Sequence, residues 1–280
     1  MEDDFTTIIQ PKRGWLDINI RELWNYKYLI SLFVKRDFTA NYKQTILGPM
    51  WFLLQPLLTT IVFTIIFGNV AKLPTGGLPP FLFYFAGITC WSYFATCLTK
   101  TSDTFVANAN IFGKVYFPRM TVPVSAVLTS MITFCLQFVM LICLVFFYCM
   151  RGSEITISFR IMLVPLLLVQ MAMLGLGCGI IVSSMTTKYR DLAMLVGFAT
   201  QLWMYVTPVA YSLDMFSQKW QTLLYLNPMT AIVENFRYLV MGIGSFNYFS
   251  QSISVIITVI ILAVGVVMFS RVEKNFMDTI

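Results

Sequence analysis

The sequence predicts an all-α integral membrane protein with six transmembrane helices, and three observations lead to that fold class. First, 58% of its 280 residues are hydrophobic and 11% are charged, whereas about a quarter of the residues in a soluble domain are charged. Second, six stretches longer than the roughly 20 residues that span a bilayer contain no charged side chain. They cover residues 44–71, 73–99, 120–150, 161–187, 192–213 and 238–270. Third, the basic residues are distributed unevenly between the two sides that six crossings define.

This uneven distribution predicts the orientation in the membrane. Six crossings leave both termini on one side. If that side is the cytoplasm, 14 of the 19 lysine and arginine residues lie inside and the other five outside, in agreement with the positive-inside rule. We therefore expect an N-in, C-in topology. The net charge of +6 then reflects topology, so no nucleic-acid partner is expected.

Residues 1–47 are expected to form a cytoplasmic lead-in and an amphipathic helix at the membrane interface. Over residues 21–36, apolar and polar side chains recur on separate faces at helical spacing. The apolar face comprises Leu23, Tyr26, Ile30 and Phe33, and the polar face comprises Lys27, Ser31 and Lys35. Such a helix is expected to lie on the membrane surface. Gly48 and Pro49 then mark the bend into the first span.

Residues 48–280 are expected to form one membrane domain, whose first span carries an unusual polar face. Pro56 lacks the amide hydrogen that would bond to the carbonyl four residues earlier. Gln55 and Thr59 add polar groups that lipid does not solvate. We therefore expect this face to point to protein or water.

The next three spans contain residues typical of turns, of tilted helix starts and of close helix packing. Residues 72–80 predict a short external turn, and Pro118 and Pro123 should tilt the entry of the third span. In the fourth span, Gly175 and Gly179 form a small-x-x-x-small pair that permits close helix approach. Residues 186–191 are predicted to be a short, charged cytoplasmic turn.

The segment 212–245 is expected to re-enter the membrane before the sixth span at residues 252–269. Its two helical pieces, residues 217–226 and 229–241, flank the breaker Asn227-Pro228. Each piece is about 15–20 Å long, which is too short for a core of roughly 30 Å, yet both are too apolar for a free loop. A pair of half-helices in the outer leaflet satisfies both conditions, with Glu234 and Arg237 offsetting each other's charge.

The titratable residues argue against a catalytic or metal site in this chain. The chain contains no histidine and 6 cysteines, and the cysteines have no C-x-x-C spacing. The acidic residues are scattered at membrane edges and in the tails rather than grouped. No G-x-x-x-x-G-K-[ST] loop is present to bind nucleotide phosphates. No cofactor is therefore expected to bind here.

Five motifs occur in a recognisable order along nearly the whole chain. Residues 36–37 read Arg-Asp, and residues 42–51 read Tyr-Lys-Gln-Thr-Ile-Leu-Gly-Pro-Met-Trp. Residues 108–119 end in Lys-Val-Tyr-Phe-Pro-Arg, residues 189–191 read Tyr-Arg-Asp, and residues 226–237 begin Leu-Asn-Pro-Met-Thr. This order resembles the permease subunit of type-two ABC exporters for bacterial surface polysaccharides, a family that includes the O-antigen, capsule and teichoic-acid permeases.

The resemblance implies a multi-pass protein of the bacterial inner membrane that works as a homodimer with two copies of an ATP-binding subunit. ATP and Mg²⁺ would bind to that partner. The substrate would be a polysaccharide linked to a polyprenyl diphosphate lipid, passing between the two protomers. The partner would push on the amphipathic helix and on the turn between spans four and five. The corresponding coupling residues are Lys35, Arg36, Asp37, Lys188, Tyr189, Arg190 and Asp191.

Rings and polar groups on spans one and five suggest a lining for a glycan path. Aromatic rings stack on the apolar faces of sugars, and Gln and Thr side chains exchange hydrogen bonds, so a polymer could slide without one strong contact. The candidates are Phe52, Gln55, Thr59, Phe63, Phe67, Phe198, Trp203 and Tyr205. The alternative is that these rings only pack the bundle.

Two other functions remain possible at the level of sequence. A secondary transporter would need ionisable groups near the bilayer midplane, and the middles of the six charge-free stretches lack them. A membrane component of glycan biosynthesis, such as a glycosyltransferase, would need grouped carboxylates for base or metal chemistry. Both are therefore less favoured than an exporter subunit.

Overall fold

A computed structural model describes residues 20–43, 47–115, 117–153, 155–156, 159–187, 189 and 191–275. Within these residues all regular secondary structure is helical, which confirms the predicted all-α class. The helices are α1 (Ile20–Asn25), α2 (Lys27–Tyr42), α3 (Trp51–Phe63), α4 (Pro80–Ser102), α5 (Thr104–Ala107), α6 (Ala109–Phe112), α7 (Thr121–Met150), α8 (Val164–Thr186), α9 (Leu192–Val206), α10 (Gln218–Leu224), α11 (Pro228–Met241) and α12 (Tyr248–Asn275). The predicted lead-in before residue 20 lies outside the described residues.

Five helical segments are long and apolar enough to cross a membrane. They are Gly48–Val70, Pro80–Ser102, Thr121–Met150, Phe159–Thr186 and Tyr248–Glu273. Each falls on one of the predicted spans. The first includes α3 and continues through a wider, π-helical turn at Thr64–Val70.

The remaining predicted span is shorter than expected. It corresponds to α9, whose 15 residues extend about 22 Å and so fall short of a hydrocarbon core of roughly 30 Å. The helix stops because Thr207 turns to an extended conformation in front of Pro208, which disfavours helical geometry in the preceding residue. The structure therefore has five segments of spanning length and one short apolar helix where six spans were expected.

Helix α4 is the centre of the bundle, packed against α3, α7, α8, α9 and α11. Helix α8 approaches it closely because Gly175 and Gly179 have no side chain. A Cβ on Gly175 would come within 2.6 Å of the Cys97 Cβ, and one on Gly179 would overlap the Thr101 side chain. The glycine pair predicted to allow close approach therefore does so, and Gly177 gives α12 the same access on another face of α8.

Contacts between helix termini define two ends of the bundle. At one end, the rings of Phe105 and Phe269 stack with centroids 4.7 Å apart. At the other end, the Thr156 amide donates to the Met241 oxygen at 3.3 Å. The first end carries Lys27, Lys35, Arg36, Lys43, Lys100, Lys114, Arg119 and Arg271 and is called the basic end, and the second is called the far end.

The apolar face predicted for α1 and α2 packs partly against protein. Phe33 is buried in a small aromatic core at the basic end, where its ring lies 5.8 Å from that of Phe117. Leu23 and Ile30, from the same predicted face, border a groove against α7. At the position of the predicted turn before the first span, Gly48 adopts a φ of +51° that glycine tolerates best.

The segment before α12 forms two short helices, as expected, but they are embedded differently. Helix α10 has no buried residue, whereas most of α11 is buried against α4, α8 and α12. Helix α11 begins at the side-chain cap of Asn227, whose Oδ1 accepts from the Met229 amide at 3.1 Å. It ends at Gly242, which adopts a φ of +73°, as is common one residue past a helix.

Candidate functional site

A cavity of about 540 Å³ lies between α3, α4 and α7. Three of the predicted path residues, Phe52, Gln55 and Thr59, line it together. Ser92, Thr96 and other small polar side chains of α4 face them across the cavity. The mixed lining of rings, hydroxyls and amides can hold water or a polyhydroxylated ligand rather than lipid alone.

The polar groups beside this cavity trace back to Pro56. Because Pro56 has no amide hydrogen, the oxygen of Phe52 has no partner within α3. Gln137 of α7 supplies one, since its Nε2 donates to the Phe52 oxygen at 3.0 Å. Gln137 Oε1 accepts in turn from Ser92 Oγ at 2.9 Å. The carbonyl that the sequence predicts to be free is thus held by a chain of hydrogen bonds joining α3, α7 and α4.

The part of the cavity nearest the basic end, called its mouth, lies close to α2. Lys100 lines the cavity and interacts electrostatically with Asp37. Asp37 also pairs with Arg36, whose Nε lies 2.8 Å from its Oδ1. The Arg36 guanidinium stands over the Phe33 ring at 4.7 Å. Two predicted coupling residues, Arg36 and Asp37, are therefore linked to the cavity lining through Lys100.

The other predicted coupling residues lie on surface positions or outside the described part of the chain. Lys35 is exposed on α2, and Tyr189 and Asp191 are exposed beside the start of α9. Lys188 and Arg190 fall outside the described residues. The positions that are described all belong to the basic end.

Phe63 and Phe67 pack against α4. Phe63 is 9% exposed, and its ring meets those of Phe67 at 5.1 Å and Tyr84 at 6.2 Å in edge-to-face geometry. In this conformation Phe63 has little surface with which to meet a ligand. The two rings contact each other, but neither of them lines the cavity.

The three candidates on α9 divide into two exposed rings and one that is held in place. Phe198 is 63% exposed and Tyr205 is 52% exposed. Trp203 instead donates from Nε1 to Asn227 Oδ1 at 3.0 Å, and Asn227 Nδ2 donates to Thr207 Oγ1 at 2.9 Å. Its ring also meets the Phe94 ring at 5.1 Å. Trp203 therefore ties the end of α9 to the half-helix turn.

The exposed faces of α3 and α9 differ in chemistry from that of α12. The α12 face carries Val255, Ile256, Val259, Ile260 and Val264, which lipid tails solvate well. The α3 face includes exposed Gln55, and its π-helical continuation includes exposed Asn69. The α9 face includes exposed Gln201 and Tyr205. Because polar side chains are costly against lipid, the faces of α3 and α9 are suited to protein or water.

Arg237 makes a group of contacts at the far end, and the sequence predicts only one of them. The predicted Glu234–Arg237 ion pair forms, with 3.3 Å between Arg237 Nη1 and Glu234 Oε1. Arg237 also donates to the oxygens of Pro208 at 2.7 Å and Val209 at 2.9 Å. Its guanidinium lies 3.6 Å from the centre of the Phe83 ring. Burial raises the pKa of the Glu234 carboxyl, and the charge of Arg237 opposes that shift.

A buried amide chain, not foreseen from the sequence, fixes α11 to two spanning helices. Asn235 Nδ2 donates to Gln251 Oε1 at 2.7 Å, and Gln251 Nε2 donates to Gln170 Oε1 at 2.5 Å. Gln170 Nε2 then donates to Ser254 Oγ at 2.8 Å. A lone glutamine within an apolar run is the signal that could have suggested such a partner.

Among the described residues, no group of three or more His, Cys, Asp or Glu side chains could hold a metal ion.

The candidate site consists of a cavity with a basic mouth, exposed polar and aromatic faces on α3 and α9, and a rigid far end. This combination can bind and guide a ligand.

Comparison with known proteins gives consistent matches over most of the chain. The sequence profile of the family described as "ABC-2 type transporter" matches residues 28–241. Two proteins of Klebsiella pneumoniae, both named O-antigen export system permease protein RfbA, are 29% identical to this chain, over 265 and 264 residues. Each match covers 93% of this chain and 99% of the relative. A Myxococcus xanthus protein of the same name is 27% identical over 220 residues, which cover 78% of this chain and 82% of the relative.

Proposed function

Because the chain belongs to the ABC-2 type transporter family, we propose that it is the permease subunit of an ATP-driven exporter that moves a lipid-linked, O-antigen-like polysaccharide. It is a multi-pass protein of the inner membrane. The observation that carries the proposal is the similarity, along 93% of the chain, to two proteins named as O-antigen export permeases. The proposed substrate is taken from the names of these two relatives. The mixed polar and aromatic lining of the cavity is compatible with a polysaccharide.

ATP hydrolysis is assigned to a separate subunit. The sequence has no phosphate-binding G-x-x-x-x-G-K-[ST] loop, so ATP and Mg²⁺ would bind to the partner. The partner would contact the basic end through Lys35, Arg36 and Asp37 on α2, and through the turn that holds Lys188, Tyr189, Arg190 and Asp191. The position of Arg36 and Asp37 beside the cavity mouth supports this assignment, because movement of α2 would reach the cavity directly.

Two protomers are proposed to enclose the path between the faces of α3 and α9. These faces expose polar and aromatic side chains that lipid does not satisfy, and a second copy or a hydrated glycan would. The cavity residues Phe52, Gln55 and Thr59 and the exposed rings Phe198 and Tyr205 would meet the polymer. Phe63, Phe67 and Trp203 would support them through packing.

The proposed topology places the basic end in the cytoplasm. The chain crosses the membrane six times if α9 is counted, because α9 runs from the end that holds Thr186 to the end that holds Arg237. Helices α10 and α11 would then lie at the outer leaflet. The short reach of α9 would be accommodated by the polar end of α11, where Arg237 holds the oxygens of Pro208 and Val209.

The test is to delete the gene and to restore it with an affinity-tagged copy. We expect deletion to remove the surface polysaccharide and to leave lipid-linked polymer inside the cell. The tagged protein should restore export and co-purify with an ATP-binding subunit. Export that persists after the ATP-binding subunit is inactivated, or that follows an ion gradient instead, would refute the proposal. A polymer that is shorter or absent on both sides of the membrane would indicate a role in synthesis.

A further inference from the structure

An apolar groove lies beside the contact of α1 and α2 with the first part of α7, and the proposed path and coupling residues do not use it. Its volume is about 740 Å³, which is within the roughly 300–1,000 Å³ typical of ligand sites. Ile30 and Val34 form part of one wall, and Val124, Leu128 and Met131 form part of the other. Such a lining favours a hydrocarbon occupant over water.

The end of the groove at Lys27, called its mouth, carries one positive charge and two aromatic rings. Lys27 is the charged residue among those that line the groove. Its Nζ lies 5.8 Å from the centre of the Trp24 ring and 5.3 Å from that of Tyr28. Both rings are exposed, and Trp and Tyr are enriched where lipid headgroups meet the hydrocarbon. An ammonium group between exposed aromatic rings and an apolar lining is the chemistry that pairs with a lipid phosphate.

The depth of the groove matches one leaflet of a bilayer. Its wall on α7 extends from Val124 to Cys135, a rise of about 16 Å. Half of a hydrocarbon core of roughly 30 Å is about 15 Å. Helix α7 runs from Thr121 to Met150, so the groove wall starts one turn from the basic end of that helix and ends at its midpoint.

We propose that this groove binds one phospholipid with an anionic headgroup, taken from the leaflet at the basic end. The phosphate pairs with Lys27, and an acyl chain lies along α7 between Leu128 and Ile30. A polyprenyl chain is longer than a single leaflet is deep, and the surface of a soluble subunit does not reach the membrane middle. The bound lipid fills the groove beside the direct contact between α2 and α7. Binding depends on the groove and on Lys27, and not on which polymer is exported.

The charge at the mouth is tested by native mass spectrometry of the purified protein, with any subunit it retains. The protein is first equilibrated in micelles that contain equal amounts of phosphatidylglycerol and phosphatidylcholine. We expect one retained phospholipid per chain, with phosphatidylglycerol in excess. Lys27→Gln should reduce that preference about fivefold, the contribution of one lysine near a membrane surface. Lys43→Gln, which removes the same charge at the C-terminal end of α2 and outside the groove, should leave the preference unchanged.

The groove itself is tested by filling it. Leu128→Trp should abolish retention of either lipid, whereas Leu136→Trp, on the same helix but outside the lining, should not. If Leu128→Trp fails to fold, Ser31→Trp fills the same space from the exposed side of α2. The proposal is overturned if the wild type retains no lipid, if the filled variants still retain it, or if both lysine variants lose the preference equally. A retained polyprenyl phosphate, or a bound subunit that excludes lipid, would also overturn it.

Discussion

At the scale of single residues, Pro56 and Gln137 show how one helix defect is satisfied by a distant side chain. Pro56 leaves the Phe52 oxygen without a partner in α3, and Gln137 bonds to it from α7. The sequence predicts the free carbonyl because the effect of proline is local. It does not predict the donor, which is 85 residues further along the chain. Only the packing of α3 against α7 brings the two together.

We predict that Gln137→Leu destabilises the protein and that Pro56→Ala rescues it. In Gln137→Leu the Phe52 oxygen loses its donor inside the membrane, at a cost of about 1 kcal/mol. Pro56→Ala restores an amide hydrogen at position 56, so the helix can satisfy that oxygen itself. The four proteins of this cycle are compared by their heat-unfolding midpoints in detergent. Equal losses in the presence and absence of Pro56 would show that Gln137 acts through Ser92 or through packing instead.

At the scale of secondary-structure elements, the contacts of α8 were predictable in kind but not in partner. The spacing of Gly175 and Gly179 indicates a close helix contact, and the structure identifies α4 as the neighbour. Spacing alone cannot make that choice, because Gly177 opens another face of α8 to α12 at the same level. The sequence therefore predicts that this face of α8 makes a close contact, whereas the helix that packs there is determined by the whole bundle.

We expect Gly179→Ala to destabilise the contact between α4 and α8. The new methyl group would overlap Thr101, and overpacking of this kind costs about 1–3 kcal/mol. Ala263→Leu is the control, because it adds a larger group to an exposed position of α12. Folded yield after detergent extraction is the measurement. A Gly179→Ala protein with wild-type yield would mean that the two helices can separate without cost.

The rings of α9 allow packing to be distinguished from a role in the path. Trp203→Ala should lower the amount of folded protein, because it removes a partly buried ring that packs against the core and the hydrogen bond to Asn227. Tyr205→Ala should leave the amount unchanged while surface polysaccharide falls, because Tyr205 is exposed and lies on the proposed path. Membrane abundance and surface polysaccharide are measured on the same cells. Normal export from an abundant Tyr205→Ala protein would remove this ring from the path.

At the scale of the whole molecule, hydropathy predicts the spans well because lipid imposes the same requirement on every crossing helix. Five predicted spans appear where the charge-free stretches lie. The structure departs from the prediction where contacts with protein, rather than with lipid, determine the length or the position of a helix. Helix α9 is short because Thr207 and Pro208 turn toward Arg237, and Phe33 of α2 packs into an aromatic core instead of lying entirely on the membrane. Sequence patterns do not show which apolar surfaces face lipid and which face protein.

The difference between helix faces that suit lipid and helix faces that suit protein predicts how two copies of the chain assemble. Helix α12 exposes only aliphatic side chains along Val255–Val264, whereas Gln55 of α3 and Gln201 of α9 are exposed polar groups within apolar helices. If α3 and α9 face a second protomer, cysteines at Gln55 or Gln201 should be joined by a short bismaleimide in a background that lacks the native cysteines. A cysteine at Ile260 of α12 should remain monomeric, because it would face lipid. The covalent dimer is measured by denaturing electrophoresis of membranes treated before solubilisation. Dimer formation from Ile260 equal to that from Gln201 would indicate random collision, and no dimer from either glutamine position would leave lipid or polymer, rather than a second protomer, as the neighbour of these faces.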